Sequence, residues 1–273
     1  MKMVGFVKQH DGKYKEYLPY NEQLSSDTHK RAIFLHMFNM YMDKKYTFTK
    51  QEIANCCTIE EAFRRKIMSE IDTSCIRVFK PISNKNIKID VASSILIHAY
   101  FMNIPCSYPL ITKPFLHVGK LISLLYTPQG LSLMLDVEDM FLHLVYERIK
   151  KVNRNSEVLL HEKSIVIKHH REGMVNTLII PSYKKLDKDH LHKDRNFMSQ
   201  MNRVQETLND GDISHVYLVY PKHPKFEKHI NIRLPYQSNL VEDTYKVKVM
   251  PYSFSFCAKE TRHKGRKRVK QRV

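Results

Sequence analysis

Ile165-Val166-Ile167, then Arg171-Glu172-Gly173, then Leu178-Ile179-Ile180-Pro181-Ser182-Tyr183-Lys184-Lys185 is the stretch whose reading decides the fold. Two short apolar runs flank a polar turn with a glycine, which is the pattern of a β-hairpin. Pro181 has no backbone N–H to give a neighbouring strand, so it marks the end of the second run. The hairpin strands are expected at 164–169 and 174–180, and further strands at 157–160, 215–220, 229–233 and 245–249. Ahead of them a helix is predicted at about 136–151, with Val137, Met140, Phe141, Leu144, Val145 and Ile149 on one face. A second helix, at about 190–208, interrupts the strands. Helix, strands, helix, strand is the order of a mixed sheet flanked by helices, and the fold class expected is α+β or α/β.

Upstream the pattern is mostly helical. Residues 1–25 read as a short strand or turn region, with Tyr14, Tyr17 and Tyr20 among lysines. Ile33, Phe34, Met37, Phe38 and Tyr41 recur at helical spacing over 26–44. Thr49 with Glu52 is a capping-box pair opening a second helix. A third helix is expected near 59–71. Over 75–90, Cys75-Ile76-Arg77-Val78-Phe79 and Ile87-Lys88-Ile89 alternate like a hairpin. Three helices and a hairpin give the N-terminal region a winged-helix-like order. Residues 91–126 read as two helices separated by the Pro105–Pro114 region, and Thr127-Pro128-Gln129-Gly130 as a turn. The expected organisation is a helical region at 1–125, a sheet-based core at 126–257 and a tail at 258–273.

Charge points to the partner. The 273 residues carry 45 Lys and Arg against 28 Asp and Glu, a formal net charge of +17. A surplus of that size calls for a polyanion, and DNA is the default. The tail concentrates it, with Lys259, Arg262, Lys264, Arg266, Lys267, Arg268, Lys270 and Arg272 against Glu260. Only 7 glycines are present, and neither GxGxxG nor GxxxxGK[ST] occurs, so no nucleotide-cradling loop is expected. Cys56, Cys57, Cys75, Cys106 and Cys257 are odd in number and irregular in spacing, which suits free thiols in a reducing cytoplasm. The N-terminus is too charged for a signal peptide. The uncharged stretch Val91 to Thr112 holds two prolines and several polar groups, so a membrane span is not expected. His190-Leu191-His192 has no Cys or carboxylate cluster to complete a metal shell and reads as surface.

Three strings in order carry a resemblance. Leu133-Met134-Leu135-Asp136-Val137-Glu138-Asp139-Met140-Phe141, continuing to Val145-Tyr146-Glu147-Arg148-Ile149-Lys150-Lys151, is similar to the strand-to-helix entry of the McrC subunit of McrBC-type restriction systems. The hairpin at 165–185 resembles that family's hairpin carrying its Pro-Asp and Asp-x-Lys motifs. Met198-Ser199-Gln200-Met201, with Val216-Tyr217-Leu218-Val219-Tyr220-Pro221-Lys222, resembles its next helix and strand. The resemblance covers roughly the last three quarters of the chain. It implies a PD-(D/E)xK nuclease-like core, action on DNA, and partnership with an McrB-like, ring-forming GTPase/AAA+ motor.

The same resemblance puts apolar and neutral residues where that family keeps its metal ligands. The helix glutamate falls on Leu142, the hairpin aspartates on Ser164 and Pro181, the lysine on Tyr183, and the aspartate before Gln200 on Phe197. A shift by one residue puts Ser182 at the second aspartate and Lys184 at the lysine. Hard divalent cations need oxygen ligands, and Leu, Ser and Pro side chains form no such cage. A DNA-binding subunit with a silent nuclease core and no cofactor is therefore expected. Two alternatives stay open. One is an active Mg²⁺-dependent endonuclease with relocated acids, for which Asp139, three residues before Leu142, Glu162, two before Ser164, and Lys184 are the catalytic candidates. The other is a winged-helix regulator on 26–90, with Arg64, Arg65 and Lys66 in the major groove. The nucleic-acid contacts expected are Lys184, Lys185 and Lys188, together with Lys264, Arg266, Lys267, Arg268, Lys270 and Arg272 of the tail.

Overall fold

The computed structural model describes residues 2–20, 26–42, 47–79, 91–103, 117–127, 130–168, 176–209, 213–233 and 246–254. The chain divides into two units, one of Met1–Pro19 with Lys30–Asp136 and one of Tyr20–His29 with Val137–Val273.

In the first unit, β1 (Met3–Lys8) lies between β2 (Tyr14–Tyr17) and a later strand at Leu133–Asp136, antiparallel to both. Gly5 makes that second pairing possible. Its φ is +139°, and a Cβ there would collide with the Leu133 carbonyl. Around this sheet come α1 (Asp27–Tyr41), part of this unit from Lys30, α2 (Lys50–Ala54), α3 (Ile59–Phe79), α4 (Val91–Met102) and α5 (His117–Leu125). Strands β3 (Tyr126–Thr127) and β4 (Gly130–Leu131) form a small hairpin before β5 (Leu133–Asp136). Phe63 of α3 is the hub of the core. Its ring meets Phe38 at 4.9 Å, Phe48 at 5.0 Å and Phe6 at 5.9 Å, the first two edge to face. Asn39 is buried yet satisfied, donating to the Phe48 carbonyl and accepting its N–H, both at 2.7 Å. The Thr49–Glu52 capping box forms as expected, with both reciprocal bonds in place.

One sequence expectation fails here. Cys75–Phe79, read as the first strand of a hairpin, are the last residues of α3, and 80–90 lie outside the described residues. Five alternating residues do not distinguish the two periods, and extending a helix already nucleated at Ile59 is easier than starting a strand. Arg64 pairs with Glu60 and Arg65 with Glu61, while Lys66 lies 3.6 Å from Glu52 and 3.8 Å from Glu70. The first hairpin strand of a winged-helix order is therefore not what Cys75–Phe79 form.

The second unit is built on one mixed sheet. Helix α6 (Val137–Val152) leads to β6 (Glu157–Leu160), β7 (Ile165–Lys168) and β8 (Asn176–Pro181). A 3-10 segment at Lys188–Lys193 and α7 (Arg195–Asn209) then lead to β9 (Ile213–Pro221), β10 (Ile230–Arg233) and β11 (Lys246–Tyr252). The strand order is β10-β11-β9-β8-β7-β6. β9 runs parallel to β8 and β11, and the other three pairings are antiparallel. Parallel neighbours need a crossover, and α7 supplies it between β8 and β9. Leu178 and Ile180 of β8, Val216, Leu218 and Tyr220 of β9, and Val247 and Val249 of β11 share one buried core with Phe197, Met201 and Val204 of α7. Tyr252 alternates to the opposite face, where Phe141 of α6 meets it at 5.3 Å. Both faces of the central strands are thus covered, as parallel strands require. The second helix begins at Arg195, not 190, because His190 has non-helical φ/ψ (−133°, 47°) and Asp194 caps the helix. Among the described residues no helix is long and apolar enough to cross a membrane.

Glu16 ties three elements of the first unit together. Its carboxylate accepts from Arg31 of α1, at 2.9 and 2.7 Å, and from the N–H of Ile59, the first residue of α3, at 2.6 Å. Glu16→Ala removes an ion pair largely shielded from water and a helix cap together. It should cost about 2–4 kcal/mol in urea unfolding, and a loss below about 0.5 kcal/mol would contradict this role. Nearby, Cys56 is buried and donates to the Thr58 carbonyl. Burial, then the Glu16 charge, pushes its thiol up to about 11, whereas Cys57 is exposed. At pH 8.5 iodoacetamide should label Cys57 in the folded protein and Cys56 only after unfolding in urea, because the thiolate is the nucleophile. Fragment-resolved mass spectrometry distinguishes the two.

Candidate functional site

The carboxyl ends of parallel strands, where the chain leaves the sheet, are the usual place for a ligand site in such sheets. Here β8 ends at Pro181, and the chain keeps one further ladder bond, from Ser182 N–H to the Val219 carbonyl at 2.9 Å. Glu138, in the first turn of α6, captures the two residues after Pro181. Its Oε2 accepts the Tyr183 N–H at 2.7 Å, and its Oε1 lies 3.4 Å from the Ser182 hydroxyl. From the other side Asn196 of α7 donates its Nδ2 to Ser182 Oγ at 3.2 Å, and its Oδ1 accepts from Lys184 Nζ at 2.9 Å. Asp194 holds the helix start, accepting from the N–H groups of Asn196 and Phe197 at 2.9 and 3.1 Å. Deeper in, the Tyr220 hydroxyl donates to Gln200. Burial first, then the charges of Asp194 and Glu138, raises its pKa above the usual phenol range, and a hydrogen bond with Asn196 partly opposes this.

Tyr183 turns away from the polar chain. Its ring packs with Phe141 at 5.4 Å and Phe254 at 6.1 Å, and its hydroxyl has no hydrogen-bond partner among the described residues. Burial, with Glu138 second, raises its pKa as well. At this position a neutral phenol fills an aromatic cluster instead of placing a cation at the strand end.

The family-derived positions lie on different elements. Leu142 is buried on α6, and Phe197 is buried in the sheet core. Ser164 closes the turn between β6 and β7, where its carbonyl accepts the His161 N–H at 2.8 Å. Pro181 is buried at the end of β8. The relocated acids fare no better. Asp139 is exposed while Leu142 is buried, so the two point to different environments on α6. Glu162 is exposed in the turn before β7, not on the strand face with Ser164. Of the candidate catalytic residues, Lys184 is bonded into the strand-end cluster through Asn196. Lys185 and Lys188 are exposed beyond it. Lys264, Arg266, Lys267, Arg268, Lys270 and Arg272 lie outside the described residues, as do the Arg171-Glu172-Gly173 turn, the Pro105–Pro114 region, and Pro128 and Gln129.

A divalent ion does not fit this cluster. Glu138 is the carboxylate facing Ser182, and its oxygens already accept a backbone N–H and a hydroxyl. Asp194 is engaged by the helix start. Among the described residues no group of three His, Cys, Asp or Glu is placed to hold a metal ion. His190 and His192 have ring centroids 6.5 Å apart, and His190 sits 3.3 Å from the Asp187 carboxylate, both exposed.

Glu138 and Asn196 carry no sequence signal that marks them as site residues. An acidic residue in the first turn of a helix looks like an ordinary complement to the helix dipole. Nothing local shows that Glu138 reaches a strand end 45 positions later. Asn196 was hidden by the misplaced helix start, although Asp194 three residues before Phe197 is an N-cap signal.

No protein-family model matches the sequence, and no curated protein does. Among solved structures, the fold is similar to a chain of the "refined half-complex from tetradecameric assembly of Thermococcus gammatolerans McrB AAA+ hexamers with bound McrC". The TM-score is 0.59 at 11% identity, over 92% of this chain and 78% of that one, a likeness of fold.

Proposed function

We propose that this chain is an McrC-like DNA-contacting component of a restriction or defence system, that it works with an McrB-like NTP-driven motor, and that its core does not cut DNA. The observation that carries the reading is the strand end itself. In a chain similar in fold to one of an McrB–McrC assembly, the end of β8 carries Ser182, Asn196 and Lys184 with Glu138 as the one carboxylate bonded to it among the described residues, and the positions the resemblance marks for metal ligands hold Leu142, Ser164 and Pro181. An AAA+ subunit needs a phosphate-cradling loop, and this sequence has no GxxxxGK[ST]. That supports the role of the ring's partner over that of the ring. The +17 charge, the exposed lysines after β8 and the basic tail support DNA as the ligand. No resident metal is part of this reading.

Binding should be sensitive to salt and largely indifferent to sequence. Removing residues 259–273 should lower affinity for duplex DNA and flatten the dependence of log K on log salt, since fewer counterions are released. An unchanged slope after truncation would assign the tail to solubility alone.

Purified protein should not nick plasmid with Mg²⁺ or Mn²⁺, alone or with its cognate ring, yet should alter the ring's NTP turnover in the presence of DNA. Cleavage abolished by Asp139→Ala, Glu162→Ala or Glu138→Ala would overturn the silent-core reading. Cleavage that survives all three and Lys184→Ala would come from a contaminant.

A further inference from the structure

Lys184 differs from the other surface lysines in being held by a built arrangement. Its Nζ donates to Asn196 Oδ1 at 2.9 Å, and the same amide is anchored to Ser182 Oγ at 3.2 Å through its Nδ2. The Asn196 backbone is itself fixed, because Asp194 accepts its N–H at 2.9 Å at the start of α7. Ser182 is buried and tied to β9 through the Val219 carbonyl. The ammonium at the tip of a flexible side chain is thus referenced to two parallel strands and a helix. Lys184 is exposed, and two of its three N–H donors have no partner among the described residues.

The choice of acceptor is informative. A carboxylate at position 196 would hold the ammonium equally well but would neutralise it. An amide carbonyl orients the cation and leaves its charge available. The nearby carboxylate of Glu138 is engaged by the Tyr183 N–H and the Ser182 hydroxyl, so it does not replace Asn196 as the lysine's partner. An oriented, unneutralised and accessible ammonium at the carboxyl end of parallel strands suits a single phosphate oxygen.

We infer that Asn196 is a positioning residue for nucleic-acid binding: it holds Lys184 at the ends of β8 and β9 so that the ammonium meets one backbone phosphate of duplex DNA. This rests on the DNA-contacting reading and adds to it a defined point of contact, separate from the tail.

The test uses the full chain and a duplex of arbitrary sequence about two helical turns long, with binding followed by fluorescence anisotropy over a salt series. Lys184→Ala should lower the slope of log K against log salt by about 0.9, the value for one phosphate contact. Asn196→Ala should lower it similarly, and the double variant should bind no more weakly than Lys184→Ala alone. Asn196→Asp is the same size and keeps the acceptor for Lys184. It loses the donor to Ser182 Oγ, so its melting temperature should fall; measured well below that temperature, it should lower the salt slope by the same amount as Lys184→Ala because the new carboxylate neutralises the ammonium, an outcome that a merely structural role for Asn196 would not produce. Additive losses in the double variant, or wild-type DNA binding by Asn196→Asp, would overturn the positioning role. Wild-type protein that does not bind DNA would overturn the functional reading as well. Wild-type protein that binds while Lys184→Ala leaves the slope unchanged would remove this contact alone. Lys184→Ala alters only an exposed side chain, so its result stands even if an Asn196 variant fails to fold.

Discussion

Glu138 accepts the Tyr183 N–H at 2.7 Å, and the arrangement of the second unit's strand end depends on that bond. It joins the first turn of α6 to the point where the chain leaves β8, so the sheet and the helix on one face share a fixed reference. With Tyr183 N–H held, the Tyr183 ring falls into the aromatic cluster of Phe141 and Phe254. Ser182 points back toward Glu138 and Asn196, and Lys184 emerges to the outside. A carboxylate half-buried beside a strand end is costly unless its oxygens find donors, and here they find a backbone N–H and a hydroxyl.

A hydrogen-bonded chain runs from Glu138 through Ser182 and Asn196 to Lys184, and deeper in the Tyr220 hydroxyl donates to Gln200. Each member holds the next in orientation, so the Lys184 ammonium is referenced to the strand end.

The first unit rests on different physics. Its core is aromatic, with Phe63 meeting Phe6, Phe38 and Phe48, and the Glu16 carboxylate ties α1 and α3 to β2. Between α4 and α5, Gly119 sits against Ser93 so closely that any side chain there would clash, which sets how near those two helices lie. On α3, Arg64 and Arg65 pair with Glu60 and Glu61, and Lys66 lies near Glu70.

Elements with long, unambiguous periodicity were determined by the sequence itself. The apolar face of α6, the short β-branched runs of the central strands and the Thr49–Glu52 cap each write their local structure through nearest-neighbour geometry. Where two periods fit equally well, as at Cys75–Phe79, the helix already formed upstream decided the outcome. The start of α7 was legible in Asp194 but obscured by the histidines before it. Residue chemistry says which types stand at the positions the resemblance marks. It does not say that Glu138 and Asn196 meet at the strand end, or that Lys184 is held there. Those facts depend on which side of a helix meets which strand, a pairing set by how two apolar surfaces interlock across tens of residues.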